Sequence, residues 1–217
     1  MFRKIAAVGD CNTLGDDLSG KSYPERIGNM LGAEVINLGH TMATTREGLR
    51  LLHDHLEDVD CVFLQFGLVD SYTTFKYAPY VLYYPDNIFR KVLRSAVKKI
   101  KKVCRKAGVH SLIGEENVVP IIEYEKNIRE MIELAMPRMV FLIDTIPNQQ
   151  QERNSDIRRY NTILDKICKD YDTCRKVNLY ELFENKFDVY YQDATHCNRS
   201  GCERIAEIIH QQIINQY

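Results

Sequence analysis

Short apolar runs alternate along this chain with longer stretches in which apolar residues return every three or four positions. The runs Ile5–Val8, Glu34–Leu38, Cys61–Phe66 and Met139–Ile143 lack the strict polar alternation of half-exposed strands, which marks strands covered on both faces. A weaker fifth run is Lys176–Leu179. Between them the spacing predicts helices over Tyr23–Leu31, Thr45–Leu56, Ile88–Ala107, Ile121–Ala135, Ile157–Tyr171 and Arg204–Ile214. Strands alternating with helices define an α/β fold, a three-layer α/β/α sandwich around a central parallel sheet of about five strands. At 217 residues the chain suits one domain, residues 1–217. The start of the second helix is marked by Thr44 and Glu47, whose side chains can satisfy each other's backbone amides in a capping box.

The stretch after the third strand departs from this pattern. Tyr72, Phe75, Tyr77, Tyr80, Tyr83 and Tyr84, stiffened by Pro79 and Pro85, lead into the helix Ile88–Ala107. Its apolar residues form one wide stripe, and its other face is basic: Arg90, Lys91, Arg94, Lys98, Lys99, Lys101, Lys102, Arg105 and Lys106, with no acid. Residues of about 71–118 therefore read as an aromatic and basic helical insertion. Two readings of the basic face stand. Either it recruits an anionic ligand or a membrane surface, or it is a solvated face on a helix held to the core by its apolar stripe.

Composition narrows the classes. The chain is 45% hydrophobic and 27% charged, as ordinary globular proteins are. A net charge of -1 gives no overall attraction to nucleic acid, and no nucleic-acid partner is expected. The seven cysteines form no CxxC pair and are odd in number, which favours a reducing compartment. The N-terminal apolar run is strand-length, so no signal peptide is expected, and no apolar stretch nears the roughly 20 residues of a membrane span. A cytoplasmic protein is expected.

In an open parallel sheet, reactive groups gather at the carboxyl ends of the strands. Four segments lie at such ends or in late loops: Gly9-Asp10-Cys11-Asn12, Asn37-Leu38-Gly39-His40, Gly67-Leu68-Val69-Asp70 and Asp193-Ala194-Thr195-His196. Their order resembles the SGNH/GDSL hydrolase superfamily, whose blocks read Gly-Asp-Ser, a glycine after the second strand, Gly-x-Asn-Asp, and Asp-x-x-His. The resemblance spans nearly the whole chain and extends to Gly201 and the closing helix. It implies a flavodoxin-like sheet, Cys11 as nucleophile, His196 as general base and Asp193 as the residue that orients it. The backbone amides of Cys11 and Gly39 would form the oxyanion hole. A carboxylate three residues before an imidazole can reach Nδ1 and leave Nε2 facing the nucleophile.

Two positions depart from the family. Cys11 replaces serine; a thiol beside His196 and at a helix start is expected to ionise more readily than a hydroxyl and to route chemistry through a thioester. Val69 replaces the asparagine whose carboxamide serves the oxyanion, and Asn12 or His40 are candidate substitutes. Gly67 and Asp70 read as structural. The expected activity is that of an esterase or deacetylase acting on acyl groups of a carbohydrate or related metabolite, in the setting of bacterial surface-polysaccharide biosynthesis. Acyl transfer is the alternative, and an attenuated SGNH domain that binds a glycan or a partner is the competing class. No cofactor is expected. Nor is a metal, since the adjacent His196 and Cys197 cannot easily share one tetrahedral ion.

Overall fold

The computed structural model describes residues 2–15, 18 and 20–215. In chain order the elements are β1 (Lys4–Gly9), α1 (Cys11–Leu14), α2 (Tyr23–Leu31), β2 (Glu34–Gly39), α3 (Thr45–His55), β3 (Cys61–Gln65), β4 (Thr73–Phe75), α4 (Ile88–Lys106), α5 (Val109–Ile113), β5 (Glu115–Asn117), α6 (Ile121–Ala135), β6 (Met139–Ile143), α7 (Asn154–Cys168), β7 (Cys174–Val177), α8 (Tyr180–Phe183), α9 (Phe187–Tyr190) and α10 (Arg199–Ile214). The apolar runs pair as a five-stranded sheet in the order β2-β1-β3-β6-β7, every pair parallel. This is the flavodoxin-like order.

The sheet separates two cores, because successive side chains in a strand point to opposite faces. Ala6, Val8, Val62, Leu64, Val140 and Leu142 face α3, α6 and α7, against residues such as Leu52, Ile128 and Leu164. Ile5, Ala7, Phe63, Phe141 and Ile143 face α2 and α10, against Ile27, Ile205 and Ile209. The result is the expected three-layer sandwich. The register sets Gly9 level with Gly39 and with Gln65, so the carboxyl ends of β1, β2 and β3 open at one height. The chain leaves β1 towards β2 on one side and passes on to β3 on the other, which opens the usual ligand crevice of such sheets.

Several boundaries differ from the sequence expectation. The last strand is Cys174–Val177 rather than Lys176–Leu179, because the Leu179 and Tyr180 amides leave the ladder to donate to Asp144 Oδ2, at 3.1 and 3.4 Å. The closing helix begins five residues early, at Arg199, where the Asn198 side chain accepts from the Gly201 amide at 2.9 Å. The Thr44–Glu47 capping box is present, and it does a second task. Fully buried Glu47 accepts, through Oε1, the Tyr80 hydroxyl at 2.9 Å and the Tyr83 amide at 2.7 Å, which ties the aromatic segment onto α3.

The stretch between β3 and α6 carries an antiparallel β4–β5 pair that brackets α4 and α5. The apolar stripe of α4 does not pack on the core. Ile88, Phe89, Val92 and Val103 are 82%, 77%, 65% and 65% exposed, and α4 has no buried residue. The apolar stripe therefore does not hold α4 down: the half-buried positions are the mixed set Arg90, Arg94, Val97, Lys101 and Cys104, while most other apolar and basic residues of the helix are exposed. Among the described residues, no helix is long and apolar enough to cross a membrane.

Candidate active site

The turn after β1 is built by close approach. A Cβ on Gly9 would lie 2.1 Å from Thr13 Oγ1 and 2.6 Å from the Gln65 carbonyl oxygen, and one on Gly39 would lie 2.2 Å from the Leu14 nitrogen. Both glycines are therefore required for α1 to fold back over the ends of β1 and β2. Asp10 caps α1, its Oδ1 accepting from the Asn12 amide at 2.9 Å, and Cys11 opens the helix. Asn37 buttresses the turn, donating to the Thr13 carbonyl at 3.0 Å and to Glu25 Oε1 at 3.0 Å.

Across the crevice, Asp193 organises the loop before α10. Its Oδ1 accepts the Thr195 and His196 amides at 2.7 and 2.8 Å, and its Oδ2 lies 2.8 Å from His196 Nδ1. Burial raises the Asp193 pKa, but the hydrogen bonds from the His196 ring and from the two amides outweigh it and hold the carboxyl below its ordinary range. A carboxylate so placed leaves Nε2 of His196 free to exchange a proton. Cys11 and His196 line one cavity of about 130 Å³, with Asn12, Thr41 and Gln192.

Asn12, a candidate oxyanion donor in the sequence, has a structural role that the sequence did not signal. Its Nδ2 donates to the Thr195 carbonyl at 3.2 Å, and its Oδ1 accepts the Cys197 amide at 3.1 Å. The carboxamide is thus a clasp on both sides of His196, fastening the histidine loop to the Cys11 turn with one of its two N–H donors. His40 Nδ1 lies 3.0 Å from the Thr41 carbonyl, with the ring edge-on to Tyr84. The Gly39 amide donates to Asn37 Oδ1 at 2.9 Å, so an oxyanion there would have to share it. Val69 is 3% exposed and lines the groove beneath the insertion. Asp70 is structural, its Oδ1 accepting the Thr45 amide at 2.9 Å and the Thr45 hydroxyl at 2.7 Å.

A further polar residue at the crevice, Arg153, carried no sequence signal. It is half-buried, donates to the Leu68 carbonyl at 2.7 Å and stacks on Tyr72 with its guanidinium carbon 3.9 Å from the ring centroid. Among the described residues it forms no ion pair, and its positive charge offsets a small part of the burial that raises the Asp10 pKa.

The surroundings of Cys11 oppose its ionisation. Burial, then the Asp10 carboxylate, push the Cys11 thiol well above its ordinary range, so the resting group is a neutral thiol rather than a thiolate. Asp10 itself is pushed up to about 7, chiefly by burial. Between pH of about 4 and 7 the folded chain then holds a proton that the unfolded chain has released, so this group's contribution to stability falls as pH rises through that window. Asp70, also buried, is raised to about 6 and adds to the same trend. Urea unfolding of Asp10→Asn at pH 4 and pH 8 is expected to show a smaller loss between the two than the wild type, by a few kcal/mol at about 1.4 kcal/mol per pKa unit. Equal losses in both proteins would contradict a buried, proton-holding Asp10.

A parallel sheet of this order, with a histidine and an aspartate paired at its carboxyl edge over the turn after β1, defines the SGNH class of α/β hydrolases. The chain belongs to the GDSL-like Lipase/Acylhydrolase family, whose profile matches residues 6–204. No curated protein sequence matches it. Among solved structures it is similar to a lipase/acylhydrolase from Enterococcus faecalis, with TM-score 0.67 and 17% identity over 99% of this chain and 96% of that one. A member of the lipolytic G-D-S-L family from Veillonella parvula gives 0.66 and 14%, over 99% and 100%. An acetylxylan esterase from Geobacillus stearothermophilus gives 0.64 and 16%, over 97% and 94%. Two catalytic mutants of that esterase, one at a histidine and one at an aspartate, share the fold as well. Among the described residues, no cluster of histidine, cysteine and acidic side chains could hold a metal ion.

Proposed function

We propose that this hydrolase cleaves acyl esters of a carbohydrate or related metabolite through Cys11, His196 and Asp193. The observation that carries the reading is the Asp193–His196 pair, 2.8 Å apart, opening on the cavity that also holds Cys11. The acetylxylan esterase neighbours, with their catalytic histidine and aspartate, support a carbohydrate ester as the substrate class.

His196 Nε2 takes the Cys11 proton as Sγ attacks the acyl carbon, since burial disfavours a free thiolate. The tetrahedral oxyanion collapses, the C–O bond to the alcohol breaks, and His196 returns the proton to the departing alkoxide. Water then attacks the thioester, with His196 again as base, and releases the carboxylic acid and the thiol. An alcohol in place of water at the second step yields acyl transfer, a variant favoured by the thioester that Cys11 forms. A cytoplasmic site and a role in surface-polysaccharide synthesis fit this chemistry.

Intact mass spectrometry after rapid quenching with p-nitrophenyl acetate provides the test. One added acetyl group, mapped to the peptide containing Cys11 and missing from Cys11→Ala, is the expected result. Wild type that stays unmodified and turns nothing over, with Cys11→Ser equally inert, would leave the domain a binding module.

A further inference from the structure

Helix α4 leaves most of its apolar stripe exposed, whereas a surface helix ordinarily turns that stripe inward. Its half-buried positions are Arg90, Arg94, Val97, Lys101 and Cys104. Between α4 and the segment after β3 lies a groove of about 190 Å³, lined by apolar residues such as Met42, Val69 and Val97, to which α4 also contributes Lys98, Lys101 and Arg105. A neighbouring recess of about 140 Å³ is lined by Lys101 and Arg105 again, with Thr73, Thr74, Phe75 and Glu115.

Arg94, which also lines the groove, is already neutralised by Asp86 and stacks on Tyr83 with its guanidinium carbon 4.7 Å from the ring centroid. Lys98, Lys101 and Arg105 are not: among the described residues none of them has a carboxylate within ion-pair distance. Lys101 is half-buried, and Arg105 and Arg46 both bear on it. Lys98 and Arg105 stay exposed, but Lys101 gives up part of its solvation beside Arg105, a cost that a bound polyanion removes. Tyr80 and Tyr83 line the same groove, with Arg46 and Arg94 stacked on their rings. The groove takes Val69 from the third sequence block and Met42, which follows Thr41 of the Cys11 cavity in the chain.

We infer that the groove is a phosphate-binding subsite, in which Lys98, Lys101 and Arg105 hold a phosphate or diphosphate on the sugar whose acyl group is presented to Cys11. The position of the acyl group rests on the function proposed above; the anion site itself does not.

Calorimetric titration of the full chain with inorganic pyrophosphate tests the subsite without any turnover. Saturable binding that weakens with added salt is expected, and Lys101→Ala or Arg105→Gln is expected to weaken it by about tenfold each, as for loss of one charge-assisted contact. Both variants should hydrolyse the uncharged p-nitrophenyl acetate at the wild-type rate, which also shows that they fold. With acylated sugars, KM for an acetylated hexose 1-phosphate should lie about tenfold or more below that for the unphosphorylated ester, and Lys101→Ala should erase the difference. Absent pyrophosphate binding, or binding that the variants leave unchanged, overturns the subsite even if Cys11 acylates normally. Binding intact beside an inert Cys11 keeps the subsite and removes the esterase.

Discussion

Alanine at His196 is expected to lower the hydrolysis of p-nitrophenyl acetate by about 10²–10⁴-fold, the usual contribution of a positioned general base. The size of the loss follows from the state of the thiol. A cysteine that rested as thiolate would attack without help, and removal of the imidazole would cost little in the first step. Burial and Asp10 disfavour ionisation of the Cys11 thiol, so in the proposed mechanism its proton passes to His196 as Sγ attacks. Asp193→Asn is expected to act in the same direction with KM nearly unchanged, because the carboxylate accepts from two loop amides as well as pairing with Nδ1. Steady-state kinetics of the two variants, with thermal unfolding to confirm that each is folded, decide the matter. Wild-type rates for His196→Ala would remove the histidine from the mechanism.

Asparagine at Val69 is expected to raise kcat by about 10²–10³-fold, the amount that one oxyanion donor is worth. The neighbourhood explains why so much is open to gain. The Gly39 amide is shared with Asn37, and Asn12 commits one of its two side-chain donors to the clasp, so the oxyanion has few free donors. Val69 is 3% exposed on the groove wall, where a side chain of similar size fits without opening a cavity. Measurement of kcat for Val69→Asn beside the acylation of Cys11 separates two outcomes. A large gain marks the wild type as a weakened enzyme, whereas no gain on a site that still acylates hands the donor's task to another group, with Arg153 the charged side chain to replace next.

The layered fold was legible in the chain because its causes are local. Continuous apolar runs such as Cys61–Phe66 can bury both faces only inside a parallel sheet, and the three-to-four spacing of Ile121–Ala135 can bury only one side of a helix. The Thr44–Glu47 box is likewise a matter of residues three apart. The pairing of Asp193 with His196 was legible too, as a contact within one turn of chain.

Tertiary structure decided what depends on distant partners. Asn12 lies 183 residues from Thr195 in the chain, and nothing in the neighbourhood of Asn12 announces that its carboxamide clasps that loop. The state of the Cys11 thiol depends on how much protein closes over it, a property of the assembled crevice rather than of a Gly-Asp-Cys turn. The orientation of α4 was beyond the pattern for the same reason. Periodicity shows that a helix has an apolar and a basic side, but only the folded chain, in which Glu47 holds Tyr80 and Tyr83 and β4 pairs with β5, leaves most of the apolar stripe exposed. The amino-acid sequence by itself determined the sheet, its covering helices and the order of the site blocks, since these follow from local burial. The folded chain decided the charge of the thiol, the clasp on the histidine loop and the cationic lining of the groove, since each is an interaction between residues that only folding brings together.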